Sequence, residues 1–181
     1  MPARDPAAGL RAARTAACLA ALGWLVACGF VPLYATPRYE VLPHLAAIEV
    51  SPIPDRAGQQ LRNVLYVRLT PKGPPARPAY VLDVDLSVAR QLLGFQRDDT
   101  ATRANFIARA SYVLRAVSDG RELTSGQSRF ITSYDVLLSE YATLSAEADA
   151  ERQALRLIGD DIAMKLSFYF ARITRERETA S

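Results

Sequence analysis

Polar and apolar residues alternate without a break from Tyr80 to Ala89. Tyr80, Leu82, Val84, Leu86 and Val88 fall on one side, and Val81, Asp83, Asp85 and Ser87 on the other. A period of two marks a β-strand with one buried side. Residues 103–117 repeat the pattern, with Ala104, Phe106, Ala108, Ala110, Tyr112, Leu114 and Ala116 inward. Arg103, Asn105, Arg109, Ser111 and Arg115 point outward, interrupted by Ile107 and Val113. Asp119-Gly120 is a tight-turn signal, and residues 121–131 return as the second arm of a hairpin. That arm alternates weakly, which places it at an edge of the sheet.

Two stretches follow the helical period instead. Asp55 reads as an N-cap whose carboxylate accepts the amides of Ala57 and Gly58, and Leu61, Val64, Leu65 and Leu69 then share one face until Pro71. Toward the C-terminus Leu155, Ile158, Ile162, Leu166, Tyr169 and Ile173 recur at steps of 3, 4, 4, 3 and 4, the strongest amphipathic signal in the chain. That helix is expected to begin near Ser145. Residues 29–54 hold Pro32, Pro37, Pro43, Pro52 and Pro54 and read as extended, loop-like chain, with Ala47 to Ser51 as a short edge strand. The order β-α-β-β-β-α predicts an α+β fold, two helices packed on one face of a roughly four-stranded mixed sheet.

The N-terminus obeys different rules. Arg4, Arg11 and Arg14 precede an apolar run from Ala16 to Val26, which ends in Leu25-Val26-Ala27-Cys28. A basic start, a short apolar segment and small residues at its end make a secretory leader. A membrane-spanning helix needs roughly 20 apolar residues, and this run is shorter. The tetrad resembles the bacterial lipoprotein signal, in which the cysteine is acylated and becomes the first residue of the mature chain. That resemblance implies an N-acyl group and an S-diacylglycerol on Cys28, and no other cofactor. With about 0.8 kcal/mol for each buried methylene, two or three acyl chains hold a protein at a bilayer almost irreversibly. Gly29 follows the cysteine where enterobacterial sorting would need aspartate for inner-membrane retention, which implies the periplasmic side of the outer membrane. The expected organisation is a signal peptide at 1–27, a lipid-anchored tether at 28–46, one α+β domain at 47–174 and a flexible tail at 175–181.

Removing the leader leaves 154 of the 181 residues, one domain's worth. The two cysteines, Cys18 and Cys28, lie in the leader and at the anchor, so the body has no disulfide. The whole chain holds 22 basic and 19 acidic residues. Without Arg4, Arg11, Arg14 and Asp5 of the leader the balance is 19 to 18, which gives no general attraction to nucleic acid or anionic lipid.

Short runs spread along the chain resemble the lipopolysaccharide-assembly lipoprotein LptE family in its alphaproteobacterial form. They are Cys28-Gly29-Phe30 with Pro32-Leu33-Tyr34, then Ile53-Pro54-Asp55-Arg56 with Gly58-Gln59-Gln60-Leu61-Arg62-Asn63. Tyr80 and Leu82, Ala101-Thr102-Arg103, Tyr112, Tyr141-Ala142, Ala146-Glu147-Ala148-Asp149-Ala150 and Tyr169-Phe170 continue the likeness, which covers essentially residues 28–170. Each run is short; their order and spacing carry the resemblance. It implies two helices against a four-stranded sheet, and a lipoprotein that plugs the outer-membrane barrel LptD, helps it assemble and contacts lipopolysaccharide on its way to the outer leaflet. An auxiliary periplasmic lipoprotein of a phospholipid transport system would share the leader, the size and a mixed body.

Catalytic chemistry has little to stand on. His44 is the only histidine and sits in a proline-rich stretch. Asp98-Asp99 and the pair Glu147 and Asp149 read more simply as a turn and a helix start, where acids are favoured. No metal-ligand or phosphate-loop spacing occurs. The candidate contacts are Arg103, Arg109 and Arg115, spaced by six on one side of a strand. Guanidinium forks suit the phosphates of a lipopolysaccharide. The other reading is that they pair across strands with Asp83 and Asp85 and solvate the face.

Cys28→Ala is expected to abolish acylation and leave an uncleaved precursor. Metabolic labelling with a fatty acid checks this, and label on the variant would refute the anchor assignment.

Overall fold

The computed structural model describes residues 38–95 and 101–180, and Cys28 with the rest of the leader lies outside them. In chain order the elements are α1 (Arg38–Ala46), β1 (Ile48–Val50), α2 (Asp55–Leu69), β2 (Tyr80–Phe95), β3 (Ala101–Ala116), β4 (Glu122–Asp135) and α3 (Glu140–Ala180). Strands β2, β3 and β4 form an antiparallel meander, and β1 runs parallel to the start of β2, giving the order β1-β2-β3-β4. The chain from β1 to β2 must therefore cross over, and α2 is that crossover.

The alternation read from the sequence sets which face is buried. Leu82, Val84, Ala104, Phe106, Ala108, Ala110, Tyr112 and Leu114 form the inner surface of β2 and β3 and are buried against Leu61, Leu65, Ile158, Ile162 and Leu166 of the helices. The opposite surface of the same strands holds Asp85, Ser87, Arg103, Arg109, Ser111 and Arg115, all exposed. The fold is thus the expected α+β arrangement, with the helices on one side of a four-stranded mixed sheet. Burying one Leu or Ile side chain contributes about 1.5–3 kcal/mol, so the helix-facing layer dominates stability.

Four local expectations differ from the structure. A short helix, α1, occupies residues 38–46 despite Pro43 inside it. Its hold is tertiary: Leu45 is buried, and His44 stacks on Phe170 of α3 with ring centroids 5.1 Å apart. Asp55 does not cap α2. Pro54 takes the N-cap position and no side chain bonds there, while Asp55 turns the chain at φ 65°, a left-handed conformation that Asp accepts more readily than most residues. The first long strand does not stop at Ala89, where the unbroken alternation ends: β2 runs on to Phe95. Finally, α3 starts at Glu140, ahead of Ser145, because Ser139 provides the cap: its Oγ accepts the Ala142 amide at 3.4 Å. Thr143 Oγ1 fastens the same corner by accepting the Leu137 amide at 2.9 Å.

The hairpin turn falls where expected, with Gly120 at φ 67°, and β4 forms a sheet edge. The other edge is only partly covered. β1 accompanies β2 as far as Leu82, so among the described residues no strand flanks β2 from Asp83 onward. Helices α2 and α3 meet at Gly159, where an added Cβ would sit 2.5 Å from Val64 Cγ1. Arg68 and Asp160 form an ion pair beside that crossing.

Ile162 is fully buried at the middle of α3. Ile162→Asp puts a carboxylate there with no partner, at a cost on the order of 4 kcal/mol against a total of roughly 5–15 kcal/mol. Thermal or urea unfolding is expected to show a large loss of stability; an unchanged midpoint would mean that this stripe faces solvent or a partner.

Candidate functional site

The open sheet face is built by register. Each outward residue of β3 lies between one partner on β2 and one on β4. Arg103 lies opposite Asp135 on β4 and pairs with it, Nε to Oδ1 at 3.4 Å. Arg115 lies opposite Glu122 across a register shift and forms its ion pair with Asp83 of β2. Arg109 differs. Its neighbour on β2 is Ser87, and its neighbour on β4 is Arg129. Among the described residues neither Arg109 nor Arg129 enters an ion pair or donates a side-chain hydrogen bond.

The sequence-based candidates therefore separate. Arg103 and Arg115 are committed to acids, the first to Asp135 instead of to Asp83 or Asp85. Asp85 lies one row from Arg109, opposite Ser111, and makes no ion pair among the described residues. Arg129 escaped the sequence reading because its arm alternates weakly. The turn could have located it, since Arg109 and Arg129 each stand ten residues from Asp119.

The helix side carries a second feature. Beyond the N-terminus of α2 the inner face of β2 is left open, and Val88 and Leu92 are 44% and 58% exposed where alternation alone would bury them. A cleft of about 280 Å³ lies here, lined among others by Arg56, Gln60, Arg90, Leu144, Glu147 and Glu151. Arg90 pairs with Glu147, which also accepts the Tyr134 hydroxyl at 3.4 Å. Asp149 pairs with Arg152. Leu137, Leu138, Tyr141 and Leu144 are exposed around the β4–α3 corner, so this end of the domain is apolar at its surface.

His44 is engaged in packing, with Nδ1 2.9 Å from the Tyr80 hydroxyl. Asp98 and Asp99 lie outside the described residues. Among the described residues no cluster of three His, Cys, Asp or Glu could hold a metal ion, and no helix is long and apolar enough to cross a membrane.

No protein-family model matches the chain, and no curated protein matches it. Solved structures do resemble it. A chain of Caulobacter crescentus CB15 assigned as a lipoprotein superposes with a TM-score of 0.61 at 23% identity, covering 74% of this chain and 98% of its own. Lipoprotein B of Nitrosomonas europaea gives a TM-score of 0.50 at 13% identity, covering 66% of this chain and 81% of its own. The rare lipoprotein B of Shewanella oneidensis matches at a TM-score of 0.42 and 12% identity over 74% of this chain and 96% of its own, too loosely to carry weight. The fold is one that bacterial lipoproteins adopt.

Three tyrosines on the helix side have raised pKa values. Burial is the main cause for Tyr112, with Asp161 adding to it and Lys165 opposing. Burial also leads for Tyr134, with Glu147 adding, and for Tyr169, where Arg172 opposes. An unfolded tyrosine ionises near pH 10, before the folded ones do. The stability they contribute is complete below that pH and is lost as the pH rises through the folded values. Denaturant midpoints at about pH 8 and about pH 11 are expected to differ, and less so in Tyr112→Phe; an equal drop in the variant would clear Tyr112 of the effect.

Proposed function

We propose that this protein is a lipoprotein anchored through acyl groups on Cys28 to the periplasmic side of the outer membrane. There it forms a complex with the LptD barrel, as plug and assembly partner, and assists insertion of lipopolysaccharide into the outer leaflet. The observation that carries this reading is the one-sidedness of the domain. All three described helices pack on a single face of the sheet, and the other long face presents ion pairs, hydroxyls and arginines. Such a surface suits the polar interior of a membrane barrel, while the covered side provides the stability of a free-standing domain. The exposed apolar end near Leu138 and Leu144 adds a surface suited to acyl chains. Contacts to lipopolysaccharide are assigned to the face bearing Arg103, Arg109 and Arg115, with Arg109 the one not held by an acid.

Pull-down of the full lipoprotein from detergent-solubilised outer membranes tests the reading. LptD is expected among the co-eluting proteins. Recovery of a phospholipid permease in its place would favour the transport-auxiliary role and refute the barrel partnership.

A further inference from the structure

The cross-strand pair Arg109 and Arg129 has no folding rationale. Directly opposed like charges destabilise a sheet, and the flanking arginines on β3 each face an acid across β4: Arg103 faces Asp135, and Arg115 faces Glu122. The middle position breaks this order. Around it stand Ser87 on β2, Ser111 two residues along β3, and Gln127 two residues along β4 and opposite Ser111. These groups bring hydroxyl and amide donors; the carboxylate nearest them is Asp85, exposed on β2 opposite Ser111, one row from the pair. On the other side of the pair lies an apolar row, Ala89, Ile107 and Ile131. Ile107 is only 8% exposed although it points out of the open face. The arginines therefore have an apolar flank on one side and, on the other, neutral donors with Asp85 at the end of their row.

We infer that Ser87, Arg109, Ser111, Gln127 and Arg129 form an anion-binding subsite for a phosphate group. Directly opposed residues hold their Cβ atoms about 4.5–5.5 Å apart, so two guanidinium groups can converge on one tetrahedral anion between them. Each offers a planar fork matched to two phosphate oxygens. A dianion in that position reverses the sign of the local interaction, and the repulsion in the empty row becomes attraction. The shared chemistry is a phosphate ester or free phosphate. Which one is met in the cell rests on the reading above, but the subsite itself does not.

The test uses the purified full-length lipoprotein in detergent micelles, so a failed LptD pull-down leaves it unaffected. Wild type, Arg109→Gln, Arg129→Gln, the double variant and Arg172→Gln are titrated with bis-phosphorylated lipid A, with dephosphorylated lipid A and with inorganic pyrophosphate. Loss of one charge-assisted bidentate contact is expected to weaken binding of the phosphorylated lipid about tenfold in either single variant. Arg172→Gln, on α3 away from the open face and paired with Glu176, is expected to bind as wild type does. Without ligand, the Arg109→Gln and Arg129→Gln midpoints are expected to equal or exceed that of wild type, because repulsion is relieved. Binding of lipid A alone identifies a lipid headgroup as the source, and binding of pyrophosphate as well identifies phosphate in general. The inference is overturned if wild type binds neither, if dephosphorylated lipid A binds equally well, or if the double variant binds like wild type. Single variants that unfold earlier without ligand would make the arginines structural. That result also overturns the inference.

Discussion

The contact between α3 and the meander sets where everything else can go. Its buried residues include Ala150, Ala154, Ile158, Ile162, Leu166 and Phe170, each four after the last. Four residues of an α-helix turn through about 40° more than a full circle, so this row winds around the helix instead of running straight along it. A straight stripe would suit a flat partner. A winding one suits a sheet whose strands rotate from one end to the other. The small residues come first, over the part of the sheet where Thr132 Oγ1 donates to the Ala150 carbonyl at 2.9 Å, and the large ones follow where α2 closes the core. Gly159 interrupts the large residues at the point where α2 must come close. Both sheet and second helix are fitted to one helix surface.

That geometry explains what sequence could and could not tell. β2 and β3 were legible because their inner residues are apolar along the whole covered length. β4 was legible as the second arm of the hairpin and as an edge, but its faces were not, since its inner positions are Thr124, Gly126, Ser128, Phe130, Thr132 and Tyr134. Close approach of α3 and of Tyr112 selects small or hydroxyl-bearing residues there, which blurs the alternation that would have told its two faces apart. The cost was Arg129, half of the candidate subsite. α1 was hidden for another reason: Pro43 argues against a helix locally, and contacts with residues distant in sequence, such as His44 on Phe170 and on the Tyr80 hydroxyl, hold it. Val88 and Leu92 mark the reverse failure, where alternation persists but no helix lies above it. The start of α3 misled because Ser139 and Ser145 are equally good caps by composition, and the corner fixed by Thr143 decides between them.

On the open face the ion pairs contribute little energy. Exposed pairs such as Arg115 with Asp83 or Arg103 with Asp135 are worth about 0–1 kcal/mol each. Their effect is one of arrangement. By satisfying the arginines at either end of β3 with acids, they confine uncompensated positive charge to the middle of the strand. A face with evenly scattered charges would have no such focus.

The two sheet edges have a consequence for handling and for the cell. β4 is a long edge strand, and among the described residues no strand covers the edge of β2 away from β3 from Asp83 onward. An unpaired strand edge is a template onto which another chain can add, and this is the usual beginning of ordered aggregation. Covering is sparse: Lys165 Nζ donates to the Gln127 carbonyl at 2.7 Å and blocks one acceptor of β4. A domain so constructed is safest when its edges are shielded by a larger neighbour or diluted by its membrane tether. Concentrated, detergent-free preparations of the body alone would expose it to self-association through those edges well before its core unfolds.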